Sequence, residues 1–409
     1  MEEKKKVPAV RFKGFTGDWE RRKLGDFTER VTRKNENLES NLPLTISAQY
    51  GLIDQNQFFD KRIASKDVSG YYLIRNGEFA YNKSTSKDAP WGAIKRLDRY
   101  KAGVLSTLYI VFKINESQNM DSDFLVSYYE TNLWHKEVQG IAAEGARNHG
   151  LLNVAPGDFF KTKLRVPADI KEQKKVGRYF KDIDHLLTLH QQKLDQLKKL
   201  KAYFLQNLFP AKGEKVPKIR FKGFTGEWEE CKVGELTVES KEYETLTSGL
   251  PLLTSSRAGL MYQNEYRGNL TTDSENTLFS VVPLQACTYR HMSDDDIFHL
   301  NLNTLEKGLV SREYPVFFAS GDNNLGFIVQ YINSSSSFRS FCAGQKKGGT
   351  RTRLYYSVLC NFKMAVPSSE EQTLIANYFK QFDNLITLHQ HKLEELQTLK
   401  KFLLQNLFV

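Results

Sequence analysis

The segment IKEQKKVGRYFKDIDHLLTLHQQKLDQLKKLKAYFLQNLF (170–209) decides the fold, because it has a long helical pattern and the chain repeats it. Its second copy, SEEQTLIANYFKQFDNLITLHQHKLEELQTLKKFLLQNLF (369–408), follows at an offset of 199 residues. A period of about half the chain indicates a duplicated protein rather than a solenoid of short repeats. The sequence therefore predicts two similar halves, each closed by a long helical segment.

Both copies begin with the same helix-start signals. Each follows a Val-Pro pair, and proline cannot continue a helix backwards. Asp169 and Ser368 each stand three residues before a glutamate, which is the spacing of a capping box. Asp184 and Asp383 are expected to mark a break between a short first helix and a longer second one.

A heptad seam runs along each copy, with steps that alternate between three and four residues. The seam residues are Leu187, His190, Leu194, Leu197, Phe204 and Leu208 in the first copy and Ile386, His389, Leu393, Leu396, Leu403 and Leu407 in the second. Lys201 and Lys400 occupy equivalent polar positions, and the seam histidines are better explained as packed side chains than as metal ligands. A seam this narrow and apolar is unsuited to water, so we expect the two long helices to pack on one another, antiparallel.

The repeat extends beyond the helices. VRFKGFTGDW (10–19) matches IRFKGFTGEW (219–228), and GVLSTLYIVF (103–112) matches GLVSREYPVF (308–317). The offset drifts from 209 to 205 residues between these pairs, because surface loops tolerate changes of length. Since the second RFKGFTG motif follows a long helix, the first is expected to lie near the end of the other long helix.

The segments between the repeats predict a mixed fold. YLIRNGEFAYNKS (72–84) and STLYIVFKI (106–114) have the composition of strands, and FLVSYYETNLWHKEV (124–138) that of a helix. The fold class is therefore α+β: two similar mixed α/β domains joined by two long antiparallel coiled-coil helices in a pseudo-twofold circular arrangement. The expected boundaries are a first domain at 1–168, a helical spacer at 169–210, a second domain at 211–367 and a second spacer at 368–409.

The composition is that of a globular, basic protein. Of 409 residues, 40% are hydrophobic and 12% aromatic, which argues against a disordered chain. The net charge is +10 at pH 7, and nucleic acid is the usual anionic partner of a basic protein. Four scattered cysteines indicate free thiols rather than a disulfide scaffold or a zinc site. With no signal-peptide pattern and no long apolar run, we expect a soluble, cytoplasmic protein without a membrane partner.

Catalytic motifs are missing from the sequence. GQKKGGT (344–350) only resembles a phosphate-binding loop, and the zinc-protease, nucleophile-elbow and dinucleotide-binding patterns do not occur. Motif search alone leaves open an enzyme with scattered residues, such as a metal nuclease.

Basic and polar residues cluster instead in four divergent segments, 82–96, 145–150, 288–296 and 344–353. Arg, Lys and Asn are the side chains that read base edges in the major groove, and glycine permits close approach of a backbone. For any single residue a solvated basic loop is an equally good explanation. The candidate DNA-binding residues are Lys83, Ser84, Lys95, Arg96, Arg147, Asn148, His149, Arg290, His291, Lys346, Lys347, Arg351 and Arg353.

The paired motifs RFKGFTGxW, LHQxKL and LQNLF, together with GARNHGLLNV, resemble those of the DNA-specificity subunit of type I restriction–modification systems. The resemblance extends over nearly the whole chain. It implies two target-recognition domains that each read one half of a split sequence in double-stranded DNA, and two helices that set the distance between the halves. It also implies that the chain performs no chemistry itself.

The same resemblance implies the partners and their cofactors. Two methylation subunits would bind S-adenosylmethionine and methylate adenine at N6, and two restriction subunits would cleave DNA with ATP and magnesium. No cofactor is expected in this chain. The alternative is a stand-alone sequence-specific DNA-binding protein, although nothing in the sequence resembles a helix-turn-helix.

Overall fold

The computed structural model describes residues 6–47, 50–61, 63–87, 89–142, 150–267, 276–346 and 351–409. The chain divides into two compact units. Unit 1 is Met1–His190 together with Lys392–Val409, and unit 2 is Gln191–His391. Both divisions fall inside the long helical segments, so each unit contains one part of each long helix.

Antiparallel strands form the sheets of unit 1. They are β1 (Glu20–Lys23), β2 (Thr28–Arg30), β3 (Leu44–Ser47), β4 (Gly51–Asp54), β5 (Tyr72–Arg75), β6 (Phe79–Asn82), β7 (Ala93–Arg96), β8 (Ala102–Leu105), β9 (Ile110–Ile114) and β10 (Lys163–Val166). A four-stranded sheet has the order β2-β9-β6-β7, and the other strands pair as β1-β10, β3-β4 and β5-β8. The strands predicted within 72–84 and 106–114 are confirmed as β5, β6 and β9.

Unit 2 has a related strand arrangement with additional two-residue strands. They are β11 (Glu229–Lys232), β12 (Thr237–Ser240), β13 (Tyr243–Glu244), β14 (Leu253–Ser256), β15 (Gly259–Tyr262), β16 (Phe279–Val282), β17 (Cys287–Thr288), β18 (Met292–Ser293), β19 (Asn301–Leu302), β20 (Gly308–Ser311), β21 (Val316–Ala319), β22 (Thr352–Arg353) and β23 (Lys363–Val366). The four-stranded sheet has the order β12-β21-β17-β19, beside a sheet β13-β16-β20 and the pairs β11-β23, β14-β15 and β18-β22.

The helices complete a mixed α/β fold in both units, as predicted. They are α1 (Gln55–Phe59), α2 (Ser122–Tyr129), α3 (His135–Ile141), α4 (Pro156–Phe159), α5 (Ile170–Asn207), α6 (Val233–Leu236), α7 (Gln263–Arg267), α8 (Leu325–Ser334), α9 (Ser336–Ala343), α10 (Tyr356–Leu359) and α11 (Ser369–Asn406). In the described part of the chain, no helix has the length and apolar character needed to cross a membrane.

The helix expected over 124–138 is interrupted after α2, because side chains donate hydrogen bonds to the backbone carbonyls at the end of α2. Thr131 Oγ1 donates to Tyr128 O at 2.7 Å, and Trp134 Nε1 donates to Tyr129 O at 3.2 Å. The chain then restarts as α3.

The long helices α5 and α11 lie wholly within the described residues and are each continuous over 38 residues. The break expected at Asp184 and Asp383 is therefore wrong. Each aspartate instead accepts a hydrogen bond from a seam lysine at 2.5 Å, Asp184 from Lys400 and Asp383 from Lys201. A lone aspartate lowers helix propensity by only a few tenths of a kcal/mol, so an ion pair suffices to keep the helix intact.

Within each unit, the parts of α5 and α11 run antiparallel. In unit 1 the rings of Phe180 and Phe408 lie 5.6 Å apart, and Asp184, further along the chain, pairs with Lys400, which precedes Phe408. Unit 2 has the same order in three contacts, Lys201–Asp383, Phe204–Phe382 and Phe209–Phe379.

Seam residues of both helices belong to the core of each unit. In unit 1, Leu187, Leu403 and Leu407 pack with the residues of the four-stranded sheet. In unit 2 the corresponding residues are Leu197, Phe204, Leu208 and Ile386. Neither core is complete without residues from both long helices.

Gly103 and Gly308 occupy equivalent positions of the repeat, and each lies against a leucine of a neighbouring strand. A Cβ built on Gly103 would lie 2.3 Å from Leu44 Cδ1, and one on Gly308 would lie 2.6 Å from Leu253 Cδ1. A side chain at either position would force the neighbouring leucine to shift, which glycine avoids in both halves.

The RFKGFTG motif fastens each unit to the start of a long helix. Arg11 donates to both carboxylate oxygens of Glu172 at 2.7 and 2.8 Å, and Arg220 donates to both of Glu371 at 2.8 Å. The glutamate side chains are only 2% and 1% exposed. A bidentate pair of this kind fixes direction as well as distance, so we name each pair a clamp.

Because of the clamps, the capping box expected at the start of each long helix is incomplete. Asp169 caps α5 by accepting from Lys171 N at 2.8 Å, and Ser368 Oγ accepts from Glu371 N at 3.5 Å. The glutamates that would complete the boxes bind the arginines instead.

The first RFKGFTG motif lies against the end of α11, as predicted. Val10 N donates to Asn406 O at 2.9 Å, and in unit 2 Ile219 N donates to Asn207 O at the same distance. Each motif therefore joins the end of one long helix to the start of the other.

Replacing Arg11 with alanine should leave Glu172 buried without its partner. Breaking a buried ion pair from one side costs about 3–5 kcal/mol, and R11A should lower the free energy of unfolding by that amount. R220A should act in the same way through Glu371. Chemical denaturation followed by circular dichroism measures both.

The matched control is Lys215→Ala, which removes an exposed pair with Glu227 beside the second motif. Exposed pairs contribute about 0–1 kcal/mol. If R11A cost no more than K215A, the clamp would not be a main support of the unit.

Candidate nucleic-acid interface

Two of the basic segments meet in unit 1. Leu152 N donates to Lys83 O at 3.0 Å, and Thr85 N donates to Gly150 O at 2.7 Å. The end of β6 thereby places segment 82–96 directly beside the residues that follow segment 145–150.

The other two segments meet in unit 2 at the equivalent place. Leu354 N donates to His291 O at 2.8 Å, and β18 pairs with β22 so that Met292 lies opposite Arg353. The described residues of the four divergent segments thus meet as two pairs, one pair in each unit.

The candidate residues differ in their accessibility. The exposed ones are Ser84, Arg290, Lys346, Arg351 and Arg353, the half-buried ones are Lys83, Lys95 and Arg96, and His291 is buried. Arg147, Asn148, His149 and Lys347 lie outside the described residues. Contact of any of these residues with DNA stays a prediction.

Arg351, Arg353 and Tyr355 form one exposed face in unit 2. They alternate with the buried Thr352 and Leu354, as expected of extended chain. Two guanidinium groups and an aromatic ring therefore share a surface, which is a suitable combination for phosphate and base contacts.

His291 supports this face from beneath. Its ring is 3% exposed and stacks on Tyr355 with centroids 5.6 Å apart. Burial lowers the pKa of His291; Glu313 opposes this shift, and Arg353 and Arg290 add to it. The imidazole is therefore neutral at pH 7, which suits packing under the face better than binding a phosphate.

Lys83 occupies a cationic, partly desolvated position in unit 1. Burial lowers the pKa of its ammonium group, and the nearby charge of Arg30 lowers it further. An anion such as a DNA phosphate would relieve both effects, because it restores a favourable partner for the charged form.

The guanidinium group of Arg96 is bound by neighbouring side chains and is not free at the surface. It donates to Asp98 Oδ1, Ser122 Oγ and Asp123 Oδ1, each at 2.7 Å, and its side chain is only 11% exposed. It ties β7 to the first turn of α2. Nζ of the neighbouring Lys95 lies 3.8 Å from Oε1 of Glu130.

An acidic loop organises the site of unit 2. Arg351 Nε donates to Asp294 Oδ1 at 2.7 Å, Arg257 donates to Asp295, and Thr352 donates to Asp296. Sequence analysis did not select Arg257, because a lone arginine in a turn belongs to no motif. No sequence pattern singled it out, because its partner Asp295 is 38 residues away.

Within the described ranges, no group of three or more His, Cys, Asp or Glu side chains is placed to hold a metal ion.

Comparisons with known proteins agree with this architecture. Residues 309–398 match the family model of the type I restriction modification DNA specificity domain. The type I restriction enzyme MjaVIII specificity subunit of Methanocaldococcus jannaschii is 24% identical over 414 residues, which cover 94% of this chain and 90% of that protein. The S subunit of a type I restriction-modification system from M. genitalium has the same fold, with a TM-score of 0.61 at 12% identity over 98% of this chain and 99% of that one.

The chain has two similar units, each built with one part of each long helix, and this architecture is the fold of the M. genitalium S subunit. More particularly, these matches confirm the resemblance to the DNA-specificity subunits of type I restriction–modification systems.

Replacing Arg96 with alanine should affect stability more than recognition. The change removes charged hydrogen bonds between β7 and α2, which are each worth about 1.5–3 kcal/mol, so thermal unfolding should shift to lower temperature. The matched control in unit 1 is Arg75→Ala, which removes the exposed pair with Glu39. An R96A protein of unchanged stability but weakened DNA binding would place Arg96 in the interface after all.

Proposed function

We propose that this chain is the DNA-recognition subunit of a type I restriction–modification complex, and that each unit reads one half of a two-part duplex target. The observation that supports this most directly is that basic segments lie next to each other at equivalent positions in the two units. Segments around Lys83 and Gly150 in unit 1, and around His291 and Arg353 in unit 2, join at equivalent positions of one fold.

The chemistry at these positions suits DNA. Arg353 and Lys83 can contact phosphates, which position a protein on the duplex, whereas Arg351 can donate to the edge of a guanine. The side chains differ between the units while the scaffold repeats. Two different half-sites are the simplest consequence.

In each unit, the long helices expose a matching set of apolar residues. Unit 1 presents Leu186, Leu189, Leu399 and Phe402, and unit 2 presents Leu385, Leu388, Leu200 and Tyr203. Each residue of one set matches one of the other at an offset of 199. A duplicated set of exposed apolar residues is what two copies of one partner would require.

We infer that these partners are two methylation subunits, which would supply S-adenosylmethionine and methylate adenine at N6. Two restriction subunits would add ATP-dependent cleavage with magnesium. This chain would bind no cofactor, would contribute target choice, and its helices would set the spacing between the half-sites.

The purified chain should transfer no methyl group to DNA when it is given S-adenosylmethionine. With the methylation subunit of its own system, it should direct adenine methylation to one split sequence, which sequencing of N6-methyladenine identifies. Methyl transfer by the chain alone would contradict the proposal. Tight sequence-specific binding without methylation by the complex would favour a stand-alone DNA-binding protein.

Exchanging residues 30–160 for the corresponding block of another specificity subunit should change one half of the methylated sequence. This block lies within unit 1, so the half read by unit 2 should remain the same. The reciprocal control exchanges residues 240–360, which lie within unit 2. A change of both halves by either exchange would rule out separate reading.

A further inference from the structure

Arg257 stands at the tip of the hairpin formed by β14 and β15. The turn is fixed by Ser256 Oγ, which accepts from Ala258 N at 3.1 Å, and by Gly259 at φ +131°. The Arg257 side chain is 62% exposed, yet its Nη2 donates to Asp295 Oδ1. An exposed cation is therefore held by a partner from a different loop.

Asp295 is itself held in place. Its Oδ1 accepts from Ser293 Oγ at 2.8 Å, and Ser293 belongs to β18, the strand that pairs with β22. The hydrogen bonds from Arg257 and Ser293 lower the pKa of Asp295 to about 2. The carboxylate is therefore ionised throughout the range in which proteins work.

The neighbouring aspartates hold the segment that contains Arg351. Asp294 accepts from Arg351 Nε, and Asp296, in the left-handed region at φ +62°, accepts from Thr352 Oγ1. The turn at Asp296 lets consecutive carboxylates point to different partners. Arg257 and Arg351 are thereby anchored to one loop, although 94 positions separate them in the sequence.

Both arginines keep donors that the carboxylates do not use. Arg351 engages Asp294 through Nε, which leaves its two terminal nitrogens, and Arg257 engages Asp295 through Nη2. A guanidinium group has five N–H donors, and two of them match O6 and N7 of guanine. A carboxylate that fixes the side chain in advance reduces the conformational entropy lost on binding.

We propose that Arg257 reads a guanine in the half-site recognised by unit 2, beside Arg351, and that Asp295 and Asp294 are positioning residues for the two arginines. This rests on the proposed function, since it assumes that unit 2 contacts duplex DNA. It adds a residue outside the four basic segments and names the base that the residue selects.

The experiment maps methylated sequences produced by the full chain with its methylation subunit. Arg257→Gln should relax one G·C position in one half of the target and raise methylation of sites with another base there roughly ten- to hundred-fold. Arg257→Lys should relax the same position, because an ammonium group cannot form the two parallel bonds. Asp295→Asn should relax that position more weakly.

The matched controls are Lys307→Gln and Glu242→Gln. Each breaks an exposed ion pair of unit 2, in which Lys307 Nζ lies 2.8 Å from Glu242 Oε1. Both should leave the methylated sequence unchanged. Thermal unfolding of all variants separates specificity from folding. Variants of Arg257 and Asp295 that lose stability and keep full specificity would show a structural pair and overturn the proposal.

The result also separates this inference from the proposed function. If the unaltered complex methylates no defined sequence, the proposed function fails. If it methylates a split sequence whose relevant half contains no G·C pair sensitive to Arg257, only the assignment of Arg257 fails.

Discussion

The apolar seam of the long helices is the constraint on which both units depend. An apolar seam exposed to water would destabilise the fold. Within each unit, the seam of each long helix therefore packs against the other long helix and against a sheet. In unit 1, Phe408 packs against Trp19 and Phe124, so residues at the end of the chain complete the core that the opening residues begin. Burial of side chains of this size contributes about 1.5–3 kcal/mol each, more than any exposed contact in the units.

The clamps convert this apolar packing into a defined geometry. A seam specifies which face of a helix is buried but permits sliding along the axis. Arg11 and Arg220 remove that freedom, because each binds both oxygens of one glutamate in the first turn of a long helix. The seam lysines act further along, where Lys400 meets Asp184 and Lys201 meets Asp383. The arginine of RFKGFTG thus has the same structural role in both halves.

Much of this was predictable from the sequence, and the failures share one cause. Heptad spacing and the repeated motifs predicted the long helices and the antiparallel packing now seen within each unit, and the composition of the segments between the repeats predicted the mixed α/β class. The break at Asp184 was wrong because its partner, Lys400, is 216 residues away. Arg96 was selected for its charge, but Asp123 on α2 engages it. Arg257 was overlooked because Asp295 gives it significance only in three dimensions. Local pattern reveals periodicity and charge, whereas long-range ion pairs decide which charges remain available.

The difference between buried and exposed ion pairs explains how one scaffold can carry different surface loops. Loss of a clamp arginine costs about 3–5 kcal/mol, a large share of the stability of a typical domain. Loss of an exposed pair such as Arg351 with Asp294 costs about 0–1 kcal/mol. The loops can therefore exchange arginines and aspartates with little effect on folding, and under the proposed function each exchange would alter which base edges the surface binds. In this chain the two halves agree at the clamps and differ at the exposed loops, as that separation of energies requires.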